Sequence, residues 1–281
     1  MSPKQSQNAE EMARAIVEQT GPDIRLALPL GLGKPVTLVN ALTRIVADDP
    51  GLHLTILTAL TLEAPAPSDP LARRLLEPAR DRLFGAYPQI DYARWLHDGT
   101  LPRNIEVHEF FMMAGRWTGN AEMQQGYISA NYTHALDVLA RRRPNVVAQL
   151  VAPLEDGVSL SCNTDITADL LAMRRAGELD FIFAAELNPE LPPMRGTAQI
   201  DASEVAFLLD PPEPFELFSS VRQPVTDVEH AIGLHVSRLV PDGGTLQIGI
   251  GSLGDAVAQA LLLRARGEIA DILAACPFAT G

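Results

Sequence analysis

The sequence predicts an α/β protein built on an open parallel sheet, followed by the start of a second, similar domain. Short apolar runs alternate with amphipathic stretches along most of the chain, which is typical of strands and helices that alternate in a parallel sheet. The 281 residues, of which 47% are hydrophobic and 20% are charged, are enough to bury both faces of such a sheet.

The first predicted strand leads into a glycine loop. Apolar residues 24–30 form a strand-like run, which ends in the sequence Gly-Leu-Gly-Lys-Pro. Apolar residues then recur at helical spacing from 36 to 46. Gly31 and Gly33 therefore close the first strand at the carboxyl end of the sheet, where open α/β folds bind ligands. Both glycines are equally well explained as turn formers.

The rest of the first domain keeps the same alternation. Residues 63–104 are rich in proline and arginine, and this predicts turns between short helices. The other predicted elements are strand 52–62, strand 105–108, helix 131–141, strand 146–151, helix 165–175 and strand 181–185.

A linker is predicted between Pro211 and Pro224, where four prolines interrupt any regular pattern. It separates a first domain of residues 1–215 from a second domain that begins at residue 222. The second domain is expected to contain helix 227–239, a tight turn at 241–244, strand 245–250 and helix 253–264. These elements are too few to close a sheet, so we expect the second domain to be incomplete and its apolar faces to be partly uncovered.

The composition argues against several classes of binding partner and of protein. The net charge of −13 argues against nucleic acid, because binding a polyanion requires a basic surface. No apolar stretch approaches the roughly 20 residues of a membrane helix, and the polar N-terminus does not resemble a signal peptide. Two cysteines are too few for a disulfide framework, and their surroundings do not suggest metal ligation. We expect a cytoplasmic protein.

A second glycine loop follows predicted strand 245–250. Glycine allows a ligand to approach the main-chain N–H groups, and those groups together with a helix N-terminus bind a phosphate or an oxyanion. Gly249, Gly251 and Gly254 also satisfy the dinucleotide pattern GxGxxG. That match is weak, because the expected acidic residue, Asp271, lies inside an apolar run rather than at a strand end. A tight turn between strand and helix is the third interpretation.

Several motifs in order resemble the acetyl-CoA hydrolase/transferase family, which belongs to the family I coenzyme A (CoA) transferases and includes 4-hydroxybutyrate CoA-transferase. The strongest is PDGGTLQIGIGSLGDAVAQALLLR, over residues 241–264. It is similar to the family's glycine loop, with Gly254 where many members have proline. Further upstream, the resemblance extends over LGLGKPVTLVNAL, TALTLEAP, VHEFFMMAG, YISANYTHALDVL, VVAQLVAP, VSLSCNTDITADLL and AAELNPELP.

The resemblance implies two α/β domains with open parallel sheets and an active site between them. It implies transfer of CoA from an acyl-CoA to a carboxylic acid through a glutamyl thioester, or hydrolysis when water is the acceptor. No metal or prosthetic group is implied. Gly249 and Gly251, with Gly31 and Gly33, are the candidate CoA-binding residues, and Gln247 is the candidate for shaping the oxyanion site. A second copy of the chain or a separate C-terminal half are possible partners.

The family's nucleophile is a glutamate in a motif resembling Ser-Glu-Met, one helix and one strand after the glycine loop. No such motif follows Arg264, and Glu268 comes too early. We therefore expect a chain truncated before its catalytic glutamate and inactive alone. Glu186 is the best substitute, although a structural role at the turn of Asn188 and Pro189 is the stronger interpretation. The alternatives are a non-catalytic remnant or split subunit, and a dinucleotide-binding protein.

Overall fold

The computed structural model describes residues 3–65, 69–218 and 223–275. The chain divides into two compact units, Met1–Phe218 and Ser219–Gly281. The first unit is an α/β/α sandwich, and the second contains helices and the glycine loop. The expected domain limits of 1–215 and 222–281 stay a prediction.

The strands of the first unit, in chain order, are β1 (Lys4–Ser6), β2 (Asp23–Leu30), β3 (His53–Ala59), β4 (Ile105–Glu109), β5 (Val146–Leu154), β6 (Gly157–Ser159), β7 (Ile182–Leu187), β8 (Gln199–Ile200) and β9 (Phe207–Leu209). Its helices are α1 (Ala9–Thr20), α2 (Val36–Asp48), α3 (Pro70–Phe84), α4 (Asp91–Asp98), α5 (Ala121–Gly126), α6 (Tyr132–Arg142) and α7 (Asp165–Arg175). Short 3-10 turns occur at Gly31–Gly33, Ser161–Asn163, Gly196–Ala198 and Ala202–Glu204.

The main sheet is parallel, with the strand order β1-β9-β7-β5-β2-β3-β4, while β6 and β8 form an antiparallel extension of β5. Strands β2, β3 and β4 run outward in one direction, and β5, β7 and β9 run outward in the other. The order therefore reverses between the adjacent strands β2 and β5. In open α/β folds, this switch point is where ligands bind.

Both faces of the sheet are covered, as a parallel sheet requires. One face packs on α1, α2 and α4 through a cluster that includes Met12, Leu38 and Tyr92. The other face packs on α6 and α7 through a cluster that includes Leu139 and Leu170. Neighbouring residues of one strand enter opposite clusters, with Leu26 on one face and Ala27 on the other.

The predicted fold class is confirmed, but several elements of the first unit differ from the prediction. The strand expected at 52–62 ends at Ala59, because Leu60 adopts a left-handed conformation with φ of +41° and turns the chain out of the sheet. The region from 63 to 104 contains α3, which is 15 residues long rather than short. The prediction missed β1, whose residues are polar, and α1, although Met12, Ala13 and Ile16 recur at helical spacing and are buried.

The second unit contains α8 (Asp227–Leu239), α9 (Ser252–Ala265) and α10 (Ile269–Ala274). Helix α8 begins at a capping box, in which Thr226 and Glu229 each accept a hydrogen bond from the other's main-chain N–H. Helices α8 and α9 pack closely because Gly233 has no side chain. A Cβ atom there would lie 2.7 Å from the Ala256 backbone.

The strand predicted at 245–250 is wrong. These residues have no regular secondary structure and are exposed. A strand is held by hydrogen bonds to neighbouring strands, and residues 223–275 contain no other strand with which it could pair.

No helix formed by the described residues is both long enough and apolar enough to cross a membrane.

Limited proteolysis tests the domain limits. We expect the first cuts between Pro211 and Pro224, because residues 211–218 have no helix or strand and the prolines interrupt regular structure. The product to detect by mass spectrometry is a resistant N-terminal fragment that contains β1 to β9. Equal protection of the residues after Pro224 and of residues 24–185 contradicts the two-domain interpretation.

Candidate functional site

The first candidate loop lies at the switch point of the sheet. Gly31 and Gly33 form the 3-10 turn that follows β2, directly before α2. Asn163, which follows the β5–β6 hairpin, lies on the other side of the switch point and contacts this turn. A Cβ atom at Gly33 would lie 2.5 Å from the Asn163 Oδ1, so any other residue there would displace the Asn163 side chain. The Asn163 Nδ2 donates to the Leu30 carbonyl at 3.1 Å.

The loop is also bonded to the end of β3. The Gly31 N–H donates to the Leu60 carbonyl at 3.1 Å, and the Leu60 N–H donates to the Phe111 carbonyl at 2.7 Å. Gly31 and Leu60 both have positive φ, +49° and +41°. For Leu60 this conformation is strained, and such strain persists only where surrounding contacts enforce it.

Lys34 is the buried cation of this loop, with 1% of its surface exposed. Its Nζ donates to the carbonyls of Pro29 at 2.8 Å, Ala59 at 2.7 Å and Leu60 at 3.2 Å. Burial lowers the pKa of Lys34 to about 7, a shift that Glu109 opposes and Arg116 strengthens. Sequence reasoning did not single out this lysine as a functional residue.

Glu186, the candidate substitute nucleophile, lies at the end of β7 and is fully buried. Its Oε2 accepts a hydrogen bond from the Leu38 N–H at 3.1 Å, at the N-terminus of α2. The expected role at the Asn188–Pro189 turn is wrong, because Asn188 holds that turn through its own Oδ1, which accepts from the Glu190 N–H at 3.0 Å. Glu186 instead compensates the positive end of α2.

The other carboxylate oxygen of Glu186, Oε1, is buried and has no hydrogen-bond partner among the described residues. Burial raises the pKa of Glu186 to about 7, while the hydrogen bonds from Thr37 and Leu38 oppose the shift. Burial, and then the charge of Glu186, raise the pKa of Tyr87 as well. A carboxyl group enclosed in this way cannot reach a thioester, which excludes Glu186 as the nucleophile in this conformation.

A further polar cluster follows β3 and β4, and sequence reasoning missed it. Glu109, 1% exposed, accepts hydrogen bonds from both the N–H and the hydroxyl of Thr61, and this hydroxyl lies 2.9 Å from the Tyr92 hydroxyl. Arg116 pairs with Glu63 and donates to the Thr61 carbonyl at 2.7 Å. The only sequence signal was polar residues directly after two apolar strands.

The second candidate loop lies in the second unit. Gln247, Gly249 and Gly251 line one open groove of about 410 Å³, together with apolar side chains of α8 and α9 that include Ile232, Val236 and Val257. Gly251 is the N-cap of α9, where its φ of +145° favours glycine. The first N–H groups of α9 therefore face the end of the loop, and such groups favour an anion.

Gly254 allows the loop to lie against α9. A Cβ atom at this position would lie 2.3 Å from the Gly249 carbonyl oxygen. Near the same helix end, the Ser252 hydroxyl donates to Glu229, and this bond is the first cause of the lowered pKa of the Glu229 carboxyl. The geometry thus explains Gly251 and Gly254, while Gly249 and Gln247 are open to solvent.

The structure brings Gln247, Gly249 and Gly251 together in one groove of the second unit, and Gly31 and Gly33 together in one turn of the first. The dinucleotide interpretation of GxGxxG requires a β-strand directly before the loop, and residues 245–250 do not form one.

Within the part of the chain that the structure describes, no group of three or more His, Cys, Asp or Glu side chains could hold a metal ion. Cys162 is exposed, and Cys276 lies outside the described residues.

Comparison with known proteins yields three sequence relatives and several solved structures, while no protein-family profile matches the chain. The succinyl-CoA:cyclohexane-1-carboxylate CoA transferase of Geobacter metallireducens is 32% identical over 134 residues, which are 47% of this chain and 29% of the relative. The 4-hydroxybutyrate coenzyme A transferase of Clostridium kluyveri is 35% identical over 82 residues, 29% of this chain and 19% of the relative.

Solved structures share the fold over most of the chain. RipA from Yersinia pestis superposes with a TM-score of 0.62 at 20% identity, over 92% of this chain and 53% of RipA. The 4-hydroxybutyrate CoA-transferase of Porphyromonas gingivalis gives a TM-score of 0.51 at 22% identity, over 92% of this chain and 51% of that protein. This chain therefore spans about half the length of the solved structures that it matches.

Replacing Glu186 with Gln should change how stability depends on pH. The folded pKa of about 7 lies above the unfolded value of 4.5, so the native carboxyl binds a proton that the unfolded one releases. The wild type should lose stability as pH rises from about 4.5 to 7, by up to roughly 3 kcal/mol. Glu186→Gln should not show this loss.

Urea unfolding of both proteins at pH 5 and pH 8 measures the difference in the free energy of unfolding. Lys34 titrates in both proteins, so its contribution cancels in the comparison. A difference between the two proteins that is the same at both pH values contradicts the buried, protonated state of Glu186.

Proposed function

We propose that this chain, which is similar in sequence to CoA transferases, forms the acyl-CoA-binding part of an enzyme that moves CoA between an acyl-CoA and a carboxylic acid. The observation that carries the proposal is the 32% identity to a CoA transferase over 134 residues. The α/β fold shared with solved CoA-transferase structures supports it.

The proposed chemistry is a double displacement on a carboxylate. An enzyme carboxylate attacks the acyl-CoA carbonyl, and the carbon–sulfur bond breaks to give a mixed anhydride and CoA thiolate. The thiolate attacks the enzyme's own carbonyl, releases the acyl group as a carboxylate and leaves an enzyme–CoA thioester. A second acid reverses both steps and leaves as its CoA thioester. Water in place of that acid would hydrolyse the thioester, giving the enzyme acetyl-CoA hydrolase activity when the acyl group is acetyl.

Each attack builds negative charge on a carbonyl oxygen, and this charge needs preorganised donors. We propose that the main-chain N–H groups around Gly249 and Gly251 and the N-terminus of α9 supply them, with the amide of Gln247 beside them. The turn of Gly31 and Gly33 is proposed as a second contact for the CoA thioester. Its place at the switch point of the sheet supports this role.

The nucleophile is proposed to be a glutamate on polypeptide other than these 281 residues. After the glycine loop the chain contains one glutamate, Glu268, which is exposed at the N-cap of α10 rather than beside the groove. Glu186 is enclosed beneath α2. We therefore propose that a glutamate from a further segment or a separate C-terminal chain completes the site.

The exposed apolar residues of the second unit support a subunit that needs such a complement. Leu246, Ile248 and Ile250 are 40%, 43% and 99% exposed, and they alternate along the segment that failed to form a strand. Alternation of this kind is typical of a strand with one buried face. Added neighbouring strands would pair with residues 245–250 and cover these side chains.

The pure 281-residue chain should show negligible exchange of CoA between acetyl-CoA and a labelled carboxylic acid. Loss of a catalytic nucleophile removes both displacement steps, so we expect a rate at least about 10³-fold below that of a full-length CoA transferase assayed in parallel. Intact-mass spectrometry after incubation with acetyl-CoA should detect no CoA adduct. Robust exchange that a single change such as Glu186→Ala abolishes would sink this proposal.

The glycine loop should still bind CoA weakly. The anion gains from the α9 N-terminus, an effect of roughly 0.3 to 2 kcal/mol, and the expected Kd is at or above about 1 mM. Titration with CoA should move the NMR amide signals of residues 247–255. Gly251→Val should reduce this movement, because a β-branched side chain blocks close approach to the backbone.

Gly243→Val is the matched control. Gly243 and Gly251 both have positive φ and no atom within 4 Å of a built Cβ, so the substitution strains both backbones, yet only Gly251 lines the groove. If the two variants weaken CoA binding equally, or if the signals of residues 247–255 do not move while others do, the site has been placed wrongly.

A further inference from the structure

The turn of Gly31 and Gly33 is held by two buried ionisable groups that do not pair with each other. Lys34 bonds it to the end of β3, and Glu186 bonds the start of α2 to the end of β7. We infer that Lys34 is a positioning residue that keeps this turn in a ligand-ready conformation, with Glu186 as the second anchor. The inference rests on the proposed function only in taking the turn as a contact for CoA.

Lys34 joins the end of β2 to the chain after β3, and we call Lys34 with its three carbonyl acceptors the clamp. Its three carbonyl acceptors belong to the strand before the turn, Pro29, and to the chain after β3, Ala59 and Leu60. An ammonium group has three donors, so each proton has one acceptor. The Leu60 carbonyl also accepts the Gly31 N–H, so Lys34 and the turn share one oxygen. Without the ammonium group, the strained conformation of Leu60 loses one of the hydrogen bonds that hold it. The Leu60 carbonyl, which accepts the Gly31 N–H, is then no longer fixed in place.

The residue type is also informative. The chain has two lysines, Lys4 and Lys34, among 22 basic residues. A compact ammonium group fits three convergent carbonyls, whereas the planar guanidinium of arginine is larger and directs its donors in a fixed fork. Burying either cation costs stability unless its partners compensate. An apolar side chain would avoid the cost of burying a cation, but it would leave the Pro29, Ala59 and Leu60 carbonyls without the ammonium donor.

The charged groups around Lys34 come from three neighbouring elements. Glu109 at the end of β4 favours its charged form, and Arg116 in the following loop opposes it, although Arg116 is itself paired with Glu63. Tyr92 of α4 joins the same cluster through Thr61, and burial raises its pKa, so its hydroxyl stays neutral. Because the pKa of Lys34 is about 7, the clamp should lose one of its three donors as pH rises through neutrality.

Hydrogen exchange of the full chain tests the clamp. The reporter is the Gly31 amide, which donates to Leu60, and the reference is the Ile56 amide in the middle of β3, between β2 and β4. Lys34→Met should raise exchange at Gly31 relative to Ile56 by at least tenfold. Val46→Ala, a core change at the far end of α2, is the control and should not raise that ratio. If Lys34 contributed only to overall stability, Lys34→Met would leave the ratio of Gly31 to Ile56 exchange unchanged, as Val46→Ala does.

The unmodified chain provides a second readout that needs no substitution. After correction for intrinsic exchange, protection of Gly31 relative to Ile56 should fall several-fold between pH 6 and pH 8.5. Glu186 titrates in the same range, so the series is repeated in Glu186→Gln, where the fall should persist. A ratio that does not change with pH in either protein overturns the inference, even if Lys34→Met does not fold.

Titration with CoA separates this inference from the proposed function. Movement of the Gly31 and Gly33 amide signals in the wild type, reduced at least several-fold in Lys34→Met, supports both. No movement in the wild type contradicts the proposed contact while the exchange result still decides the role of Lys34. Equal movement in the wild type and Lys34→Met overturns the positioning role and leaves the proposed function standing.

Discussion

A parallel strand persists only where neighbouring strands satisfy its hydrogen bonds and other elements cover both of its faces. This constraint explains most of what the two units share and where they differ. In the first unit, seven strands pair side by side and two apolar clusters cover the sheet. In the second, residues 245–250 have the apolar alternation of a strand but no strand beside them, and they remain irregular and exposed.

The same sheet concentrates polar groups at one edge. Strands β2, β3, β4, β5 and β7 all end there. The polar residues beside these ends are Lys34 after β2, Thr61 after β3, Glu109 in β4, Glu186 in β7 and Asn163 after the β5–β6 hairpin. Most of these side chains are buried and bonded to backbone groups of neighbouring loops. These bonds tie the loops at the switch point to one another, and loops held in one conformation lose less entropy when a ligand binds. The cost is the burial of two ionisable groups whose pKa values move to about 7.

Part of the fold could be predicted from the amino-acid sequence. Period-3.6 and short apolar runs predicted α2, α6 and α7 and strands β2, β4, β5 and β7 to within about two residues at most ends. The motif resemblance, which sequence relatives confirm, added the CoA-transferase family. Length and spacing could not find β1, whose three residues are polar, whereas the apolar residues of α1 recur at helical spacing and could have predicted it. The early end of β3 was also hidden, because it depends on the strained Leu60 and its partners in other loops.

The sequence by itself determined the alternation of strands and helices in the first unit and the two glycine loops, since both follow from local periodicity and backbone freedom. Only the tertiary structure decided which side chains meet those loops. Asn163 contacts Gly33, which lies 130 residues earlier in the sequence. Glu186 accepts a hydrogen bond from the N-terminus of α2, 148 residues earlier. Strand order sets these contacts, and no local pattern encodes strand order. For the same reason Glu186, which the sequence offered as a possible nucleophile, lies buried under a helix, because β7 and α2 pack together only in the folded sheet.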